Sequence, residues 1–527
     1  MGGMCKSEQT CRPAYTGGVV WYAAMTDRYI KDILRARVYD VARETPLDDA
    51  PSLSRRLGNR VLIKREDLQS VFSFKLRGAY NKIANLPEAL RHKGVIASSA
   101  GNHAQGVALS ARTLGIDALI VMPKTTPDIK VQSVRRLGAR AELHGHAYDE
   151  AYAHAMSRAA ETGMTFVHPY DDPEVIAGQG TIAREILHQH KGSLDAIFVP
   201  VGGGGLIAGI AAYVKYLRPE VKVIGVEPDD AACMHDALKA GERVLLEQVG
   251  IFADGVAVRQ VGEEPFRIAR QCVDEVILVN TDEICAAIKD IFEDTRSIAE
   301  PAGALAIAGL KKYVERENAR GQCLVAIDSG ANTNFDRLRH VAERAEIGEH
   351  REALLAVTIP ERPGSFRRFC EILGQRAITE FNYRYADHDD AHVFAGVQVA
   401  GGIAEKNGLI AQLMDNGYPV VDMSDNEMAK LHVRYMVGGR AGVPDERLLR
   451  FEFPERPGAL LRFLNRMGRQ WNISLFHYRN HGADYGRVLA GIQVPPEDEV
   501  AFQDYLSQLG YECADETGNP AYGLFLR

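Results

Sequence analysis

A lysine lies between an aromatic ring and a small, turn-forming run in Ser73-Phe74-Lys75-Leu76-Arg77-Gly78-Ala79, just past the strand-like Val61-Leu62-Ile63-Lys64. A buried lysine here loses the solvation of its ammonium, its pKa falls, and the free amine can attack an aldehyde. Pyridoxal 5′-phosphate (PLP) is an aldehyde cofactor that needs such a lysine, an anion cradle for its phosphate and a partner for its ring nitrogen. Candidates for both occur downstream.

Gly202-Gly203-Gly204-Gly205-Leu206 follows one strand-like run and opens a helix. Without side chains, its backbone N–H groups can converge on a phosphate at a helix N-terminus. Two other readings stay open at this point: a tight structural turn, and a dinucleotide fingerprint. The fingerprint would read Gly203-x-Gly205-x-x-Ala208, with Glu227 ending the next strand. Its late position counts against it, because that fingerprint usually sits in the first βα unit of its domain.

Ser98-Ser99-Ala100-Gly101-Asn102-His103-Ala104-Gln105-Gly106 occupies another strand-to-helix turn. Exposed backbone donors there suit a substrate carboxylate, and Asn102 is placed to bond a ring hydroxyl. The plainer alternative is an N-cap followed by a helix-packing glycine. His103 is given no chemistry of its own. Ser329-Gly330-Ala331-Asn332 follows the last strand of the region. A hydroxyl facing a pyridine nitrogen would not hold it protonated, which favours β-elimination over transamination. Alone, this motif is equally a turn.

All these motifs must be carried by a strand–helix alternation running from about residue 60 to residue 330. Val95–Ala97, Ala118–Val121, Ala196–Val201, Val221–Val226 and Cys323–Ile327 are apolar and often β-branched. They alternate with helix-length segments, which predicts a mostly parallel sheet covered on both faces. Ligands in such sheets sit beyond the carboxyl ends of the strands, where every motif above falls.

With 527 residues the chain exceeds one core and requires two or three domains. A net charge of −8 without a basic run argues against a nucleic-acid partner, and no apolar run reaches the roughly 18–20 residues of a membrane span. The eight cysteines show no Cys-x-x-Cys spacing, which suits reduced thiols in a cytoplasm. Residues 1–24 are expected to be a flexible leader, with Met25 an equally good start.

Past residue 340 the texture changes: Ala342–Arg351 is polar, a connecting helix or a linker, and beyond it an internal repeat begins. Ile359-Pro360-Glu361-Arg362-Pro363-Gly364-Ser365-Phe366 matches Phe453-Pro454-Glu455-Arg456-Pro457-Gly458-Ala459-Leu460. Phe381-Asn382-Tyr383-Arg384 likewise matches Phe476-His477-Tyr478-Arg479, and Gly396–Val399 matches Gly491–Val494. The period of about 95 residues is too long for a solenoid, so an α+β module is used twice. An aromatic wall beside an arginine, as at Tyr383-Arg384 and Tyr478-Arg479, suits an apolar amino acid with its carboxylate. A core tyrosine next to a surface arginine is the competing reading.

Together and in this order, the lysine loop, the Ser-Ala-Gly-Asn-His-Ala-Gln-Gly turn, the tetraglycine and Ser-Gly-Ala-Asn resemble the fold-type II (tryptophan synthase β-like) PLP enzymes. Within them they look like the threonine/serine dehydratase branch. The doubled module resembles the two ACT-like (ferredoxin-like) regulatory domains of the biosynthetic threonine dehydratases. The resemblance covers nearly everything from Tyr29 onward. It implies an α/β catalytic domain over residues 25–342, a linker over 343–352, and ACT-like domains over 353–426 and 447–520.

The resemblance also implies residue roles. Lys75 would carry the cofactor with Phe74 beside the ring, Asn102 would bind the ring hydroxyl, and Ser329 would meet the pyridine nitrogen. Gly202, Gly203, Gly204, Gly205 and Leu206 would hold the phosphate. Ser99, Ala100, Gly101, Asn102 and His103 would hold the substrate carboxylate. The implied reaction turns L-threonine into 2-oxobutanoate and ammonia, with L-isoleucine as inhibitor, L-valine as its antagonist, and a homotetrameric assembly in the cytoplasm. Tyr383, Arg384, Tyr478 and Arg479 are the expected effector contacts. A serine-preferring dehydratase and a catalytically dead amino-acid sensor remain the alternatives. Ala100 stands where related racemases carry a serine, which disfavours racemisation. Glu227 and Ala231 match a divalent-metal cluster of those relatives, but Cys233 replaces its second carboxylate, so no metal is expected.

Overall fold

The computed structural model describes residues 27–335, 337–360, 365–374, 376, 378–385, 390–435, 444–454, 471–479 and 485–526. The leader and the Pro363-Gly364 and Pro457-Gly458 turns lie outside these residues.

Two sheets build the first half. The larger runs β1(Leu47–Asp49), β2(Arg60–Arg65), β10(Cys323–Asp328), β7(Ala196–Pro200), β8(Lys222–Pro228) and β9(Glu275–Val279) in spatial order. Only edge strand β1 is antiparallel; β2, β10, β7, β8 and β9 pair in parallel. The smaller sheet is wholly parallel, in the order β5(Arg140–Leu143), β4(Ala118–Met122), β3(Val95–Ser98) and β6(Thr165–Phe166). Every residue of β4, β7 and β10 is buried, which is why these strands read as unbroken apolar runs rather than alternating ones.

Three adjacent strands of the larger sheet deliver site residues at their carboxyl ends: Lys75 after β2, Ser329 after β10 and Gly202 after β7. The smaller sheet delivers the 99–103 loop after β3. The candidate site therefore lies between the two sheets.

The second half repeats one module. The first copy orders its strands β12(Ile378–Tyr385), β13(Asp390–Gln398), β11(Glu352–Pro360) and β14(Val420–Asp422), all antiparallel. The second repeats that order with β16(Asn472–Arg479), β17(Tyr485–Gln493), β15(Glu446–Pro454) and β18(Glu512–Asp515). Each copy thus ends in a fourth strand, β14 or β18, too short to stand out in the sequence. The stretch expected as a linker completes the helix Arg337–Gly348 and runs into β11.

The helix that starts at Lys75 is anchored by Arg77, which is wholly buried. Its guanidinium donates to Glu66 Oε1 and Oε2, both at 2.8 Å, and to Glu185 Oε1 and Oε2 at 2.5 and 2.9 Å. Thr181 Oγ1 and the Arg43 carbonyl also accept from it, so its five N–H groups are shared among six acceptors. Lys64, also fully buried, lies 2.6 Å from Glu185. Against the cost of burial, Arg77 and Lys64 hold the Glu66 carboxyl below its ordinary pKa. Two cations and two carboxylates with every donor satisfied fix this helix, but removing one partner strands the others. Arg77→Met is expected to lower the stability of the first half by about 3–5 kcal/mol in urea unfolding of the full chain. A loss under about 1 kcal/mol would show that the cluster does not carry the helix.

Candidate active site

Lys75 opens its helix and combines deep placement with partial solvent access, as a group lining an internal cavity does. Its Nζ donates to the Pro169 carbonyl at 3.4 Å and sits 5.3 Å from the centre of the Phe74 ring. Burial lowers its pKa to about 8, partly opposed by the Glu300 carboxylate. A free amine is therefore accessible near neutral pH, which is what attack on an aldehyde requires.

The other motifs converge on this loop. Ser73 bridges Gly330 in antiparallel fashion, and Phe74 N–H donates to the Ser329 carbonyl at 3.3 Å. Ser329 is buried, and among the described residues its hydroxyl makes only a long 3.4 Å contact with the Ala302 carbonyl. It stays available to a ring nitrogen. From the smaller sheet, the helix Asn102–Leu114 packs through Gly106, where a β-carbon would lie 3.0–3.1 Å from the Lys75–Leu76 backbone.

No side chain caps this helix; Gly101 occupies the N-cap. Its first N–H groups thus lack intrahelical partners, and a β-carbon at Gly101 would meet nothing within 4 Å. Ser99 Oγ instead accepts the Gly101 N–H at 3.2 Å and shapes the loop. His103 Nε2 bonds the Val167 carbonyl at 2.8 Å, so it carries the ring proton, while buried Nδ1 has no partner among the described residues. Burial and then Lys75 push its pKa down to about 3, which keeps the imidazole neutral. Ser73 Oγ is likewise buried without a partner.

The tetraglycine passes under the Tyr170 ring. A β-carbon at Gly203 would lie 2.2 Å from that ring, and one at Gly205 2.9 Å from the Tyr170 carbonyl. Gly204 has φ +91°, a conformation costly to any L side chain, and it opens the uncapped helix Gly205–Leu217. Backbone donors at an uncapped helix start, with side chains excluded, are suited to cradle an anion. Glu227 is not part of it: its carboxylate accepts N–H groups of Met234 and His235 at 2.8 and 2.9 Å. The Cys233 thiol, raised in pKa chiefly by burial, lies 3.6 Å from it.

Sequence reasoning missed Glu300. Asn102 Nδ2 donates to its Oε1 at 2.6 Å, while Asn332 Nδ2 donates to Asn102 Oδ1 at 2.7 Å. The amide of Asn102 is thus fixed in orientation, with one Nδ2 hydrogen left to donate. Glu300 is 4% exposed, and burial, with Asp254 nearby, raises its pKa to about 7. Its one local signal is its place just before Pro301, the first residue of a helix.

A lysine with a depressed pKa, a cradle closed to side chains, a neutral hydroxyl and orphaned buried donors and acceptors fit PLP. Lys75 would hold its aldehyde carbon, Gly202–Leu206 its phosphate, Ser329 its nitrogen and Asn102 its hydroxyl.

Gly203→Ala should weaken retention of PLP about tenfold or more, because the overpacked ring of Tyr170 must move at a cost on the order of 1–3 kcal/mol. Equilibrium dialysis measures this, and unchanged affinity would remove the cradle assignment. Glu300 gives a second expectation. Its folded pKa exceeds the unfolded value, so its proton stabilises the fold fully below about pH 4.5 and not above about pH 7. Between these limits the cofactor-free chain should lose on the order of 3 kcal/mol relative to Glu300→Gln. Parallel stability–pH curves would show that folding does not raise the Glu300 pKa.

Residues 38–330 match the family of pyridoxal-phosphate-dependent enzymes, and residues 343–433 and 437–526 match the C-terminal regulatory domain of threonine dehydratase. The biosynthetic L-threonine dehydratase IlvA of Burkholderia multivorans is 58% identical, covering 94% of this chain and 99% of the relative. The mitochondrial threonine dehydratase of Saccharomyces cerevisiae is 53% identical over 95% of this chain and 90% of its own. The processed form of threonine deaminase isoform 2 from Solanum lycopersicum superposes with a TM-score of 0.61 at 50% identity, covering 62% of this chain and 89% of that one. The chain therefore belongs to the biosynthetic threonine dehydratases, PLP-dependent lyases with a C-terminal regulatory domain.

Proposed function

We propose that this chain converts L-threonine to 2-oxobutanoate and ammonia, the first committed step of isoleucine biosynthesis, and that L-isoleucine restrains it through the C-terminal half. The observation that carries this reading is the meeting of Lys75, the Gly202–Leu206 cradle, Ser329 and the 99–103 loop at strand ends of two sheets.

When bound, PLP supplies an electron-withdrawing ring that acidifies the substrate α-carbon. The chain does the rest. Unpaired N–H groups at the start of the Asn102–Leu114 helix bind the carboxylate and orient the α-C–H bond. Lys75 Nζ, whose lowered pKa leaves a fraction of the amine unprotonated near neutral pH, takes the α-proton. The β-hydroxyl leaves as water, which accounts for the proton that Lys75 took, and the released aminocrotonate tautomerises to its imine and hydrolyses to 2-oxobutanoate and ammonia. The neutral Ser329 hydroxyl leaves the ring nitrogen unprotonated, which favours this elimination. Positioning of base and leaving group accounts for several kcal/mol of the barrier, within the roughly 7–11 available from orientation.

The division into residues 25–342 for chemistry and 353–426 plus 447–520 for control follows the same reading. Tyr383 and Arg384 on β12 face Val393 and His392 in register, as Tyr478 and Arg479 on β16 face Val488 and Arg487. The side chains of these four residues lie outside the described part of the structure. Their equivalent backbone positions support them as contacts for isoleucine and its antagonist valine. A homotetramer in the cytoplasm completes the reading. Among the described residues no helix is long and apolar enough to cross a membrane.

The decisive assay follows 2-oxobutanoate from threonine, and pyruvate from serine, with and without isoleucine. Threonine should be the better substrate, and isoleucine should lower its turnover. Lys75→Ala should reduce turnover at least about a thousandfold. Retained turnover in that variant, or borohydride trapping of PLP on another residue, would refute the role given to Lys75.

A further inference from the structure

One helix, Arg337–Gly348, joins the two halves, and its buried face carries Arg337, His340, Val341, Arg344 and Ala345. Arg337 and Arg344 are seven residues apart, hence two turns apart on the same side. The first end grips the catalytic half, and the second grips the catalytic and regulatory halves together.

At the first end, Arg337 Nη1 donates to Asp254 Oδ1 and to the Phe252 carbonyl, both at 3.3 Å. His340 packs edge-on against the Phe252 ring, with centroids 5.5 Å apart. Lys130 Nζ also holds Asp254, at 2.9 Å. Asp254 begins the short turn Asp254–Val256, and this turn runs beside the cofactor residues in two places. A β-carbon on Gly255 would lie 3.8 Å from Glu300 Oε1 and 4.0 Å from Asn102 Nδ2. One on Gly202, the first residue of the cradle, would lie 2.9 Å from Val256 Cα.

At the other end, Arg344 pairs with Asp282 of the catalytic half and, at 2.6 Å, with Glu427 of the regulatory half. Lys430 closes the square, 2.6 Å from both Asp282 and Glu427. Ile347 joins an apolar cluster with Leu354 and Phe394 of the first module and Leu448 and Leu489 of the second. A β-carbon on Gly348 would lie 2.0 Å from the Asp282 carbonyl, so the helix end sits directly on the catalytic half.

We infer that Arg337 is a positioning residue: by holding the Asp254–Val256 turn it sets the Asn102–Glu300 pair and the Gly202 edge of the cradle, and it is the contact through which the regulatory modules reach the site. This role rests on the effector reading proposed above. A shift of either module must move Ile347 and Arg344. The rigid helix then carries that movement to Arg337 and to the turn.

The test uses the full-length holoenzyme. Arg337→Gln should bind L-isoleucine in calorimetry within about twofold of the parent, while inhibition of threonine turnover by isoleucine weakens about tenfold or more. The change in cofactor fluorescence on adding isoleucine should shrink with it. Arg337→Lys, which keeps the charge, should recover most of both responses. Asp254→Ala removes the same contact from its other side, should give the same responses as Arg337→Gln, and replaces it in the test should Arg337→Gln not fold. Inhibition and fluorescence responses of parental size in either variant, with isoleucine bound, would overturn the coupling role alone. A parent chain that binds no isoleucine would overturn the effector assignment and this role with it.

Discussion

A single amine must be kept dry, neutral and stationary, and much of the catalytic half serves that constraint. Burial costs the ammonium of Lys75 its hydration and would leave it neutral, whereas an ionised Glu300 nearby would restore the charge. The same burial raises Glu300, so the two groups are pushed towards neutrality together. With values near 8 and 7, both groups titrate around neutral pH. Stationarity comes from elsewhere. Two residues beyond Lys75, Arg77 is bound by two buried carboxylates, and Gly106 lets a second helix press on the lysine backbone.

This division of labour explains which parts of the site could be read from the sequence. The cradle, the 99–103 loop and Ser329 lie at strand-to-helix turns, where small residues are demanded by the backbone itself. Their chemistry is local and leaves a local trace. Glu300 reaches Asn102 across 198 residues, and Arg77 reaches Glu185 across 108. Neither pairing leaves a pattern in its own neighbourhood, since a lone glutamate before a proline reads as an ordinary helix start. Asp254 is hidden for the same reason: its meaning depends on Arg337, 83 residues away.

The fold shows the same contrast. Strands β4, β7 and β10 were plain in the sequence because burial on both faces forces an unbroken apolar run. The duplication was plain because two copies repeat the same words. The spatial order within each copy was supplied only by resemblance, since strand pairing depends on contacts that no single segment encodes. The polar stretch after residue 340 resisted a firm reading because its helix is amphipathic through arginine and histidine rather than through leucine. Arg337, His340 and Arg344 are buried, so a pattern built on apolar residues underestimates that face.

The choice of charge over hydrocarbon at the junction has a physical consequence. A seam of leucines would hold the halves together in many nearly equivalent registers, because apolar contact is non-directional. A square of Arg344, Asp282, Lys430 and Glu427 accepts few arrangements, since any slip leaves a desolvated charge without its partner. Such a junction adds little net stability, but it separates its allowed arrangements sharply. Adhesion falls instead to Ile347 and the apolar cluster it shares with both modules. A joint with apolar adhesion and ionic register can move as a unit between discrete positions, which is the property a helix needs if it is to carry a signal rather than absorb it.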